Sequence, residues 1–160
     1  RSMNRLPYLT IAGFAVGLDR LLKWWAVANL SLAESRPLIG ETIRLTRVHN
    51  YGGALGFFPG NGTLFVVVSS IVALIVLFFI ARGRYHSRLL NMGLALVLGG
   101  AVGNLIDRLL YGYVLDFLEV RGLFVNNLAD VCVTVGVGLI VIHTFFGGDE
   151  DRSSQSADCL

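Results

Sequence analysis

Charge is what this chain has least of. Asp, Glu, Lys and Arg make up 15% of its 160 residues, against 54% hydrophobic residues. That is far from the mix of an average soluble domain and places the chain in a membrane. The formal net charge is only +2, and the basic residues fall in short clusters rather than along one face, which excludes nucleic acid as a partner. Cysteine is almost absent. Cys132 falls in the last apolar stretch and Cys159 in a polar tail, so a disulfide between them is not expected and neither has a partner cysteine at metal-ligand spacing. Cys159 also stands one residue short of the position that a C-terminal prenylation box requires. His49, His86 and His143 are scattered, and no metal site or other cofactor is indicated. No internal repeat is evident.

Long uncharged runs are present. Thr63 to Ala81 and Leu89 to Ile106 carry no ionisable side chain and can each cross a hydrocarbon core as a helix. Leu6 to Leu18 reaches spanning length only if its helix continues through Asp19, Arg20 and Lys23, and Leu128 to Phe146 only if it carries Asp130 and His143 near its ends. The expected architecture is an all-α membrane protein with four transmembrane helices at about 6–28, 63–81, 89–110 and 128–146 and a small extracytoplasmic β-cradle and flap. Residues 1–146 form one domain, and 147–160 form a polar, acidic, disordered tail. Tyr8, Trp24 and Trp25 lie near the ends of the first span, where amphipathic rings favour the interface. That span lacks a small-residue cleavage pattern and is expected to stay as an anchor. Arg1-Ser2, ahead of Met3, reads as a cloning remnant.

The arginines set the orientation. Arg82, Arg84 and Arg88 crowd one short loop, with Arg1 and Arg5 before the first span, which puts that loop and both termini in the cytoplasm. The connections 29–62 and 111–127 then lie outside. Within the first, Glu41 to Asn50 alternates in polarity with β-branched residues, as in a short strand of an outer cradle. Asn50-Tyr-Gly-Gly-Ala-Leu-Gly-Phe-Phe-Pro-Gly60 has the turn residues and aromatics of a flap at the interface, or of a plain connector.

Against this apolar background a few polar groups stand out. Asn104, Asp107 and Arg108 share one face of the third span, Asp19 and Lys23 one face of the first, and Asn127 and Asp130 one face where the fourth begins. Ionised groups at such depth should face the bundle interior and pair. Asp19 with Lys23 and Asp107 with Arg108, or swaps across helices, are the natural pairs, leaving Asp116 and Asp130 without a cation. Taken singly, Asp130 could cap a helix and Asp116 could solvate a loop. Taken together, two carboxylates flanked by apolar residues suit a shared-proton pair in which one polarises water and the other protonates the scissile group. The reading is an intramembrane aspartyl hydrolase. A small transporter or proton channel is the alternative, although the second span offers only Ser69 and Ser70 to a conduction path; a noncatalytic lipid-binding or assembly subunit is a third.

Five boxes then fall in order: Asp19-x-x-x-Lys23, Asn50-x-Gly-Gly-Ala54, Gly99-Gly-Ala-Val-Gly-Asn-Leu-Ile-Asp-Arg108, Gly112-Tyr-Val-Leu-Asp-Phe117 and Asn127-Leu-Ala-Asp130. Together they resemble the sequence boxes of bacterial lipoprotein signal peptidase, the type II signal peptidase. The resemblance implies a four-helix inner-membrane enzyme with an extracytoplasmic cradle, no metal, and a site near the extracytoplasmic face. It implies Asp116 and Asp130 as the catalytic dyad, with Asn50, Asn104, Arg108 and Asn127 around it. The implied substrate is a prolipoprotein whose cysteine already carries diacylglycerol, cut just before that cysteine. Membrane lipids and globomycin-type inhibitors are the other implied partners. Two departures touch packing rather than the acids: Asn126 stands where the family often has Phe, and Leu55 where it has an aromatic.

Overall fold

The computed structural model describes residues 4–52, 62–82 and 87–146. Four helices alternate with a sheet: α1 (Leu6–Asn29), β1 (Ser35–Ile39), β2 (Ile43–Asn50), α2 (Gly62–Arg82), α3 (Arg88–Tyr111), β3 (Val114–Val120), β4 (Phe124–Asn126) and α4 (Leu128–Phe146). The helix bounds follow the uncharged runs closely. The loop centred on residues 83–86, most of the expected flap and the tail 147–160 lie outside the described residues.

Local chemistry fixes the helix ends. Pro7 opens α1, where its missing N–H costs nothing. Ser87 accepts from the Leu90 N–H at the start of α3, and Gly112 closes that helix in the left-handed region at φ 76°. The packing then makes α3 the central helix. Two-thirds of its most apolar stretch is buried, against 17% for α2 and 11% for α4. Ala12 of α1, Ala73, Val76 and Ile80 of α2, and Leu94, Val97, Leu98 and Ala101 of α3 form one apolar core. Large side chains such as Leu64, Val67, Ile71, Leu74 and Phe78 point outward, as lipid-facing surfaces do.

Glycine sets how closely α3 is approached. Gly93 and Gly100 lie against the α4 backbone at Gly136 and Ala129, and Gly99 lies against Ala12 and Ala15 of α1. Small residues at helix contacts are the usual means of close packing in a membrane, where burial from water supplies no drive.

Two expectations need correcting here. The expected small β-cradle is a full four-stranded antiparallel sheet in the order β1-β2-β3-β4, built from the connections after α1 and α3, so the fold is helices with a sheet rather than all-α. The sequence reading expected one strand near Glu41 to Asn50, which is β2; residues 111–127 read as a plain connection but form β3 and β4. Backbone polar groups in a poorly solvated segment must be paired, and the ladder does this. Tyr8 is buried, whereas Trp24 is 69% exposed. Among the described residues three helices, α2, α3 and α4, are long and apolar enough to cross a membrane. The charges at Asp19, Arg20 and Lys23 keep α1 out of that set.

Candidate active site

The ionic side chains of α1 and α3 meet at the sheet end of the bundle. Lys23 is 3% exposed. Its Nζ lies 2.8 Å from Asp19 Oδ2 and 2.8 Å from Asp107 Oδ2, and donates to Asn104 Oδ1 at 3.1 Å. An ammonium has three N–H groups, and here three acceptors meet them. Arg20 completes the cluster, 3.1 Å from Asp19 Oδ2 and 2.5 Å from Asp107 Oδ1. Two carboxylates thus face two cations, which offsets the desolvation that would make any one of them costly.

The expected pair of Asp19 with Lys23 is present, but the pair of Asp107 with Arg108 is not. Consecutive helix residues diverge by roughly 100°. Asp107 turns to α1, while Arg108 donates to the Gly52 carbonyl at 3.2 Å and lies 5.4 Å from the Phe65 ring centre. Arg20 is the residue that the sequence reading left without a role, although its place beside Asp19 and one turn before Lys23 was a usable signal.

The cluster also anchors backbone beside both candidate acids. Asp19 Oδ1 accepts from the Ala129 N–H at 3.0 Å, one residue before Asp130. Asp107 Oδ2 accepts from the Leu115 N–H at 3.1 Å, one residue before Asp116. Asp116 itself lies in β3, 2% exposed, so it does not solvate a loop. Leu115 and Phe117 pack with Ala26 and Leu30 of the α1 end, and the strand pleat turns Asp116 to the other face.

An amide circuit joins the two acids. Asn50 Nδ2 donates to Asp116 Oδ2 at 2.9 Å, and Asn127 Nδ2 donates to Asp116 Oδ1 at 2.7 Å and to Asn104 Oδ1 at 3.1 Å. Asn104 Nδ2 donates to Asp130 Oδ1 at 2.7 Å. Asn127 Oδ1 accepts from the Asp130 N–H at 3.0 Å. Asn127, rather than Asp130, is therefore the side chain that caps α4. Neither acid has an ion-pair partner among the described residues. The structure thus brings Asn50, Asn104, Asp116, Asn127 and Asp130 together, sets Lys23, Asp19 and Asp107 behind them, and places Arg108 at the Gly52 edge. Asn126, the departure at β4, keeps its Oδ1 buried without a partner among the described residues; Leu55 lies outside them.

Burial, then the neighbouring charge of Asp130, push the Asp116 carboxyl from 3.8 up to about 7, against the lowering effect of the Asn50 and Asn127 hydrogen bonds and the Lys23 charge. The folded state therefore holds the Asp116 proton more tightly than the unfolded chain does. Its ionisation costs no stability below about pH 4, costs progressively more as pH rises, and reaches its full cost above about 7. The limit of that cost is about 4 kcal/mol. Asp116→Asn cannot ionise, so the melting temperature of wild type is expected to fall relative to that of the variant between pH 4 and 7. Melts in detergent across that range check it. A constant difference would mean that Asp116 is not held protonated by the fold.

Comparison with known proteins identifies the family. The profile of the Signal peptidase (SPase) II family matches residues 11–146. A lipoprotein signal peptidase of Moorella thermoacetica is 44% identical over 82% of this chain and 88% of its own length, and one of Shouchella clausii is 37% identical over 90% and 96%. A bacterial membrane enzyme solved by the in meso method at 2.3 Å superposes with a TM-score of 0.81 at 28% identity, covering 87% of each chain. A match of that extent excludes the transporter and assembly-subunit readings: the chain belongs to the signal peptidase II family and is an aspartic peptidase of the lipoprotein signal peptidases.

Proposed function

We propose that Asp116 and Asp130 are the acid–base pair of this peptidase and that the scissile bond lies just before a cysteine carrying diacylglycerol. The observation that carries the reading is the amide circuit, which links the buried Asp116 carboxylate to the half-buried Asp130 carboxylate, neither having an ion-pair partner among the described residues. Such a pair favours one shared proton. The ionised member takes a proton from a bound water as the oxygen attacks the scissile carbonyl. The protonated member donates to the carbonyl oxygen, giving a tetrahedral diol; as the diol collapses, that member takes back a hydroxyl proton while the other passes the water's proton to the departing amine nitrogen, so the pair ends as it began. Asn104 and Asn127 fix the carboxyl planes, and Asn50 holds Asp116 from the β2 side. Arg108, tied to Gly52, steadies the edge from which the substrate enters.

Removal of signal peptides from prolipoproteins is the work of the family. In this reading α1 is a fourth span, its charges neutralised within the cluster. Both termini are cytoplasmic, the membrane is the bacterial inner membrane, and the dyad lies near its outer face. An acyl chain contributes about 0.8 kcal/mol per buried methylene, so recognition of the lipid needs only an apolar surface between helices. Globomycin-type peptides would compete for the same place.

A precursor peptide carrying S-diacylglyceryl cysteine, compared with the same peptide bearing a free thiol, tests the specificity. The expected result is cleavage before the modified cysteine, identified by mass spectrometry of the new N-terminus, at least about 100-fold faster than for the free thiol, and blocked by globomycin. Equal rates, or a cut at another bond, would overturn the substrate assignment.

A further inference from the structure

We propose that the cavity beside the ionic cluster binds the phosphate of an anionic glycerophospholipid. The cavity, about 380 Å³, lies between α1, the end of α3, and strands β2 and β3. Arg20, Lys23, Arg47 and Asp107 line it, with Trp24, Tyr111 and Tyr113 around them. This proposal rests on the membrane reading of α1 and α3 and not on the peptidase chemistry.

The charges do not balance at this place. Arg20 and Lys23 are answered by Asp19 and Asp107. Arg47 makes no ion pair among the described residues; its Nη1 donates only to the carbonyls of Leu30 at 3.1 Å and Val27 at 3.4 Å. One positive charge is left over in a partly enclosed, low-dielectric space. The donors are also incomplete. Arg20 Nε and Arg47 Nε are both buried with no acceptor among the described residues. Neither Nε is open to the free space of the cavity, so these unmet donors add to the unbalanced positive charge beside it rather than mark the contact itself. A phosphate supplies both the negative charge and several oxygens, and guanidinium groups bind it through paired N–H bonds. Asp107 does not oppose this, because its oxygens are already engaged by Arg20 and Lys23.

The surroundings favour a lipid over a free anion. Trp24 is 69% and Tyr111 57% exposed at the cavity, and such rings mark the depth of the headgroups. Val27 lines the cavity and is itself 47% exposed. An amphipathic occupant can place its phosphate on the arginines and its chains along this apolar flank. The occupant would also touch Arg20 and Lys23, whose partners Asp19 and Asp107 hold the backbone next to both acids, so lipid composition would reach the active site through the cluster.

Native mass spectrometry of the full-length protein, from micelles doped equally with phosphatidylglycerol and phosphatidylcholine, tests this. Wild type is expected to retain phosphatidylglycerol about tenfold more, a preference on the scale of one added guanidinium–phosphate contact. Arg47→Gln should bring retention to parity, and Arg47→Lys should keep part of the preference. Arg36→Gln, which alters an exposed arginine already paired with Glu34, should leave it unchanged. Melts in phosphatidylcholine alone verify that each variant is folded. If Arg47→Gln does not fold, the wild-type and Arg47→Lys preferences carry the test. Equal retention of the two lipids by wild type, or a full preference in folded Arg47→Gln, would overturn the proposal. Inorganic phosphate at millimolar concentration should not displace the lipid; if it does so and raises the melting temperature as much as the lipid, the site takes a free anion and the lipid assignment fails.

Discussion

Asp116→Asn and Asp130→Asn are each expected to lower cleavage of a lipidated precursor by at least about 10³-fold, and the double variant by no more than either alone. Residues that work as one unit lose nearly everything on the first removal. The two variants differ in how they disturb the site. Asp130 is joined to the circuit through one carboxyl oxygen, Oδ1, which accepts from Asn104. Asparagine there can keep that bond with its own carbonyl, so Asp130→Asn should melt close to wild type while turnover disappears. Asp116 accepts amide donors on both oxygens, from Asn127 and from Asn50. An amide at that position meets one of these donors with its own NH₂. The mismatch adds a pH-independent cost of about 1–3 kcal/mol for the unmet bond, which is separable from the pH-dependent gain expected when the ionisable group is removed. Circular dichroism and melts, with a gel-shift assay of precursor cleavage, decide between loss of chemistry and loss of fold. Wild-type-like turnover by either folded variant would remove that aspartate from the dyad.

What could be read from the sequence divides by the range of the interaction. The helix bounds were legible because a membrane helix satisfies its own backbone, so an uncharged run is both the signal and the structure. The sheet was not, because β2 pairs with β3 across two intervening helices, placing Val48 opposite Asp116 and Asn50 opposite Val114. Nothing local marks that pairing. Val114-Leu-Asp-Phe-Leu118 is an apolar run with one acid, as readable as a loop under the membrane surface as a strand. The same limit explains why the sequence leaves the ion pairing open between helix neighbours and swaps across helices. Asp107 and Arg108 are neighbours in sequence, but the partners of Asp107 are Arg20 and Lys23 on another helix. The two acids stand out in the sequence by their apolar flanks, but the asparagines joined them as one set only because ordered boxes resembled those of a family. Their spacing alone could not give the Asn104–Asn127 contact that links α3 to the start of α4.

Gly100→Ala should be the most damaging small substitution in the bundle, and Gly138→Ala among the least. A methyl group at Gly100 would overlap the Ala129 carbonyl oxygen and lie 2.7 Å from Val133 Cγ2. The carbonyl cannot simply retreat. The N–H of the same residue is held by Asp19, and the next residue is Asp130, itself tied to Asn104 and Asn127. The first turn of α4 must move instead, and the acid with it. Overpacking of this kind costs about 1–3 kcal/mol, and displacement of a reacting group by about 1 Å costs about 100-fold in rate. Gly93→Ala offers a separation of these effects. Its methyl would meet the Gly136 carbonyl oxygen at 2.7 Å and Ile140 Cγ1 at 2.8 Å, on the same α3–α4 seam but about two turns from the acids. Its melting temperature should fall as far as that of Gly100→Ala, while the rate of the folded fraction stays within a few-fold of wild type. At Gly138 the added methyl would meet nothing within 4 Å, so neither quantity should drop. Melting in detergent and single-turnover cleavage for the three variants measure both axes. If folded Gly100→Ala cleaves as fast as folded Gly93→Ala, the α3–α4 contact at Ala129 holds the bundle together without setting the position of Asp130.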